Sequence, residues 1–318
     1  MNFASTVETF LQLLSSGLII GANYGLMCLG LGLIFGVMRV INFAQGDLMV
    51  LGMYFAFIFV GWVASDQTTT FLWTMVAVGL AGGLFYVFGN VLHRVLISRV
   101  TGMRVAALED AGHSPQLILT LGLSLVIQNA ALMLFGSTPS SIPTPLSSKA
   151  WKFGPLWGDQ VYLFINQART WSAILAVVAA AILANFLRHT SLGRQMRAAA
   201  NNPVASTYVG VDVNRSHRIA FGLGVAITTI AGVMMATYQP FQPYTGQDFI
   251  VIMYAGVVLG GMGSVGGTFW GGLIIGLVQQ LSTLVMPMQL QSTVIFAVFL
   301  AILLFMPQGL FGRNVERV

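Results

Sequence analysis

From Phe249 to Gly312 the chain carries no Asp, Glu, Lys, Arg or His, and Val, Ile, Leu, Phe and Gly dominate the stretch. A soluble domain with such a segment would lack the polar surface to cover its core. In a bilayer the constraint is different. Backbone N–H and C=O groups find no water there, so only helices or closed barrels can span. The rest of the chain is of the same kind, 56% hydrophobic and 7% charged over 318 residues, against about 25% charged in soluble domains. The expected fold is all-α: a polytopic transmembrane helical bundle in a single domain, residues 1–318, with roughly eight to ten spans of about 20 residues each.

Candidate spans are Phe10–Val37, Ala44–Trp62, Phe71–Leu92, Pro115–Gly136, Trp171–Leu187, Ile219–Tyr238, Phe249–Met262, Gly267–Met286 and Leu290–Met306. Phe249–Met262 is short for a span and is expected to be broken or re-entrant. The first basic residue is Arg39. The amino-terminal run therefore lacks the charged n-region of a secretory signal and is expected to be retained.

Charge placement sets the expected orientation. Basic residues gather at Arg94, Arg99 and Arg104, at Arg188, Arg194, Arg197, Arg215 and Arg218, and at Arg313 and Arg317. The connectors Ala64–Thr70 and Gln239–Asp248 hold no Lys or Arg. The positive-inside rule puts the basic group in the cytoplasm, the amino terminus outside and the carboxyl terminus inside. Residues 137–170 then form an extracytoplasmic connector, whose Lys149, Lys152 and Arg169 weaken the rule without reversing it. The net charge of +5 does not imply a nucleic-acid partner, because the arginines fall between apolar runs rather than in a stripe. Cys28 is the single cysteine, so no internal disulfide or cysteine metal cluster can form.

Three stretches invite a chemical reading. In "MRVINFAQGDLMVLG", Met38 to Gly52, the side chains of Arg39, Asn42, Gln45 and Asp47 interrupt the apolar pattern beside Gly46. Arg39 can snorkel to headgroups. Asn42, Gln45 and Asp47 are expected either to line a path through an unwound helix, as broken helices do where they face a cavity, or to bond across helices. Alanine at Asn42 and Asp47 would abolish transport with assembly intact in the first case and break assembly in the second.

"GMGSVG", Gly261 to Gly266, matches the dinucleotide fingerprint, but the acidic residue that the chemistry needs about 20 positions on is missing. Gly17, Gly21 and Gly25, then Gly256, Gly260, Gly261, Gly263, Gly266 and Gly267, are instead expected to let helices pack closely. Ser264 as a nucleophile would need a histidine base within reach. His93, His113, His189 and His217 all fall in or beside the basic connectors, so an enzyme is not expected. The lysines, in "SSKAW" and "AWKFG", are not in a P-loop. Any ATP must therefore bind another chain. The fragments "AGGLFYVFGNVL" and "WGGLIIGLVQQL" hint at an internal repeat.

The third stretch is "HTSLGRQMRAAANNPVASTYVGVDVNR", His189 to Arg215. Asn202 can cap a helix that begins at Pro203, and Gly210 can end it. A helix over Val204–Val209 is well short of the ~12–15 residues needed for stability alone in water. It should be held by something, either a groove in a partner or the rest of its own chain.

"GLMCLGLGLIFGVMRVINFAQGDLMVLGMY" resembles the first-span signature of the branched-chain amino acid ABC transporter permeases. "SLGRQMRAAANNPVASTYVGVDVNR" resembles their coupling segment, and "AGVVLGGMGSVGGTFWGGLIIG" and "MPQGLFGR" their carboxyl-terminal signatures. The similarity covers nearly the whole chain in order and spacing, and points to the first of the two permease types.

The resemblance implies a bacterial inner-membrane importer with four kinds of component. This chain and a second permease subunit, expected to be a different chain, would form the pathway. Two ATPase subunits would carry ATP and Mg, so this chain would need no cofactor, and a periplasmic binding protein would deliver solute. The cytoplasmic coupling segment would span residues 188–218, with Pro203, Val204, Ala205, Tyr208, Val209 and Gly210 facing the ATPase, while Arg194 and Arg197 would either contact it too or simply set the membrane orientation. Many members read "NFAHGE" where this chain reads "NFAQGD", and a Gln45 amide does not titrate near neutral pH. Urea, short amides and aromatic carboxylates are alternative solutes. A stand-alone secondary transporter or channel is the rival mechanism, with Asp47 as its one candidate ion-coupling group.

Overall fold

The computed structural model describes residues 3–64, 66–101, 114–156, 161–306 and 308–312. Arg104, His113, Arg313 and Arg317 lie outside the described residues. The chain begins with α1 (Phe3–Met38), α2 (Gln45–Val63) and α3 (Gln67–Leu92), and α3 continues through a π-turn, His93–Ile97, to Thr101. Next come α4 (Ser114–Phe135), an antiparallel hairpin of β1 (Ala150–Leu156) and β2 (Val161–Asn166), and α5 (Gln167–His189). Two short helices, α6 (Ser191–Asn201) and α7 (Pro203–Tyr208), lead into α8 (Val213–Met235). The chain ends with α9 (Thr245–Gly260), α10 (Val265–Ser282) and α11 (Gln291–Phe305).

Each of the nine predicted runs holds a helix. Six helices, α1 to α5 and α8, are long and apolar enough to cross a membrane, and α9 and α11 are shorter apolar helices. The chain is a multi-pass membrane protein. Five of its helices start where a side chain supplies an acceptor for the unpaired first-turn N–H groups. Asn166, Thr190, Asn202, Asp212 and Ser264 cap α5, α6, α7, α8 and α10 through their side chains.

Two three-helix units interleave. α1 packs mainly on α10 and α8, while α8 packs mainly on α1 and α3. The first helix of each unit thus leans on the third helix of the other. The fragments that hinted at a repeat lie on α3 and α10, the two third helices. Glycines allow the close approach: a Cβ on Gly30 would lie 2.6 Å from the Gly224 carbonyl oxygen, and one on Gly224 would lie 2.6 Å from that of Gly30. Gly21 and Gly25 likewise meet α10 at Leu273 and Phe269.

The two ends of the bundle differ. At one end the Gln12 side chain bonds both backbone groups of Phe164 in β2, accepting from its N–H and donating to its C=O. There the connector also pairs Ser140 with Phe241 through reciprocal backbone bonds of 2.8 Å. At the other end lie Arg188, Arg194, Arg197, Arg215 and Arg218. The tail returns beside the α9–α10 turn, where Leu310 N–H donates to the Leu259 carbonyl at 2.8 Å. The hairpin is a small departure from the all-α expectation. Residues Trp151, Phe153 and Tyr162 to Phe164 alternate along its two strands, a pattern that suits pleated pairing.

Candidate functional site

The break between α1 and α2 lies at Arg39 to Ala44, and it is made without glycine. Arg39 adopts φ of 55°, in the left-handed region, and its side chain is exposed. Gly46 lies inside α2, where its missing side chain admits the backbone of Gly246 at the start of α9.

The chain from Arg39 to Ala44 brings the start of α2 to a point halfway along α8. Here Asn42 Nδ2 donates to Gln45 Oε1 at 2.9 Å, and Ala44 N–H donates to Asn42 Oδ1 at 3.1 Å. Gln45 Nε2 donates to Thr228 Oγ1 at 2.7 Å and to the Gly224 carbonyl at 3.1 Å. Asn42, Gln45 and Thr228 are completely buried.

Asp47, two residues on and so on the other side of α2, faces α4. Ser124 Oγ donates to its Oδ2 at 2.5 Å and Gln128 Nε2 to its Oδ1 at 2.9 Å. Gln247 Nε2 on α9 then donates to Gln128 Oε1 at 3.0 Å. A continuous polar chain therefore joins α2, α4 and α9, and it pairs groups that would be costly to bury unpaired. Of this cluster the sequence singled out only the α2 members. Ser124 and Gln128 are spaced four apart in an apolar run, so they share one helix face, and that spacing was the available signal.

The connector Gln239–Asp248, expected outside, meets Ser140 at the hairpin end through Phe241 and from there folds into the bundle: Phe241, Thr245 and Gly246 are buried, and α9 starts beside Gly46. This explains why Phe249–Met262 looked too short for a span. α9 begins partway through the bundle and ends at Gly261, which takes φ of 96°. Beside its first turn a cavity of about 470 Å³ opens between α9, α10 and α11.

The predicted packing glycines divide. Gly260 and Gly267 meet backbone to backbone, and a side chain on either would strike the other's carbonyl oxygen. Gly261 is pressed on Gly312. Gly263 and Gly266 have open space where a Cβ would go, so neither is a packing residue; Gly263 serves the turn with φ of 123°. Ser264 caps α10 by accepting from Gly267 N–H at 3.2 Å.

At the arginine-bearing end, Asn202 Oδ1 accepts from Ala205 N–H at 2.9 Å, Pro203 takes the first position of α7, and Gly210 ends the turn with φ of 80°. Ser206 is buried against the chain. Val204, Ala205, Tyr208 and Val209 are exposed, Tyr208 by 88% and Val209 by 79%. Arg194 and Arg197 donate to the carbonyls of His189 and Leu187, closing the last turn of α5. Among the described residues no group of three His, Cys, Asp or Glu could hold a metal ion.

Residues 13–303 match the family described as branched-chain amino acid transport system / permease component. The chain is 30% identical to the high-affinity branched-chain amino acid transport system permease protein LivH of Salmonella typhimurium, over 97% of this chain and 98% of the relative. It is 28% identical to the corresponding protein BraD of Pseudomonas aeruginosa, over 97% and 98%. The ribose import permease protein RbsC of Escherichia coli K12 shares 28% identity over 57% of this chain and 55% of its own. No solved structure matches. With a family match over nearly its whole length, and a helical bundle laid out as the family signatures imply, this chain belongs to the permease components of branched-chain amino acid transport systems.

Proposed function

We propose that the chain is the membrane-spanning subunit of an ATP-driven importer in a bacterial inner membrane, carrying branched-chain amino acids or related small solutes. The observation that carries this reading is α7. Its six residues and the Val209 that follows present Val204, Ala205, Tyr208 and Val209 outward with no cover from the described residues. Such a helix is too short to hold itself in water. Exposed apolar and aromatic groups on a capped stub suit insertion into a groove. The occupied groove belongs to an ATPase subunit, which supplies ATP and Mg.

In this reading residues 188–218 form the coupling segment, Arg194 and Arg197 brace it, and closure of two ATPase subunits pushes on α7. Residues 137–170 and the hairpin face outward, where a periplasmic binding protein delivers solute. A second permease subunit completes the pathway. Asn42, Gln45 and Asp47 hold α2 to α4 and α8, so that motion of the basic end reaches the bundle centre through bonded elements. Co-purification tests the reading. Ala205→Asp or Val209→Asp is expected to release the ATPase subunit while the permease stays monodisperse, and undiminished association would overturn the assignment.

A further inference from the structure

The cavity between α9, α10 and α11 contains a carboxylate that no basic side chain among its lining residues neutralises. Asp248 sits in the first turn of α9 and is exposed. With Gln247, Gln279 and Ser292 it forms a polar wall, and Phe249, Ile295 and Phe296 line the cavity too. No Lys, Arg or His is among the lining residues. The level of this site follows from its bonds. Gln247 donates to Gln128, well inside α4, and Gly246 rests on Gly46. Asp248 is therefore within the spanning part of the bundle. An acidic group at that depth is costly unless it is paired or faces a water-filled space, and such groups mark solute paths.

Asp47 differs in kind: it is buried and already accepts from Ser124 and Gln128. Asp248 has the open geometry of a group awaiting a cation. A neutral urea would leave its charge unmatched, and an aromatic carboxylate would be repelled.

We propose that this cavity is an intramembrane solute station, in which Asp248 binds the ammonium group of an amino acid and Phe249, Ile295 and Phe296 receive its apolar side chain. The amides of Gln247 and Gln279 and the Ser292 hydroxyl supply donors for the carboxylate end. This rests on the importer reading above and narrows its solute class. Amino acids fit; urea, short amides and aromatic carboxylates do not.

The test uses the assembled complex in liposomes and a diazirine analogue of leucine as photoprobe. Labelling is expected on the peptides around 245–252 and 291–296. Leucine should compete, whereas 4-methylpentanoate, which lacks the amine, should not. Asp248→Asn should cut labelling about tenfold or more, the usual size of a lost charged hydrogen bond, and Asp248→Glu should restore part of it. Equal competition by 4-methylpentanoate in the wild type, or unchanged labelling in a properly assembled Asp248→Asn complex, would overturn the proposal. Leucine import by the same wild-type liposomes is scored in parallel, which separates a failed site from a failed importer.

Discussion

A methyl group on Gly46 would strike the Gly246 carbonyl, and one on Gly246 would sit 2.6 Å from Asp47 Oδ1. Neither neighbour is a flexible side-chain tip with room to retreat. Gly46→Ala and Gly246→Ala are each expected to destabilise the bundle by about 1–3 kcal/mol, the range for overpacking, seen as a lower unfolding midpoint in detergent. Gly266→Ala is the contrast. Its Cβ meets open space, so the expected change is a gain of about 0.4–1 kcal/mol or none. At Asp47 the cost is electrostatic. Asp47→Ala removes the acceptor of both Ser124 Oγ and Gln128 Nε2 and leaves only the bond from Gln128 to Ser124, at about 1–3 kcal/mol for a buried group left unsatisfied. Destabilisation would mark Asp47 as a structural tie, whereas lost uptake at unchanged stability would place it in the path. The odd polar residues of α2 were legible in the sequence because each interrupts an apolar run. Their partners were less so: Thr228 lies 183 positions from Gln45 and Gln128 lies 81 from Asp47, and only folding brings them near.

α7 is the element whose boundaries the chain states most openly. Asn202, Pro203 and Gly210 occupy the positions that cap, start and stop a helix, and the structure places them so. Whether its apolar face turns inward or outward is not written in six residues, which are too few for a periodicity. Burial settles it: Ser206 faces in and Tyr208 faces out. Aromatic side chains of this kind concentrate binding energy at interfaces. Tyr208→Ala is expected to weaken ATPase association by about 2 kcal/mol or more, read from the concentration dependence of complex formation. α9 gives the opposite lesson. Its sequence looked like a short span with an outer loop before it, because hydropathy counts residues and not depth.

For the molecule as a whole, the amino-terminal helix and the hairpin share one end, and α7 and the returning tail share the other. Cysteines introduced at Phe153 and at Tyr208, both exposed, are therefore expected to react with a membrane-impermeant maleimide from opposite sides. Phe153→Cys should label in intact spheroplasts and Tyr208→Cys only in inverted vesicles. Labelling of both from one side would refute the topology. The native Cys28 is buried and should stay silent in either preparation.

Apolar runs near the length of a bilayer, arginines concentrated in alternate connectors and cap residues sufficed to announce a helical membrane bundle, its nine apolar helices and the short capped helix α7. These are local properties, set by solvation of a segment and by hydrogen bonds within a turn. Depth, pairing and cavity shape are not local. The start of α2 and α9 at one level, the chain from Asp47 to Gln247, the open carboxylate of Asp248 and the idle space at Gly266 all depend on where distant backbones come to rest. Close packing decides that, and it is a property of the assembled helices rather than of any one of them.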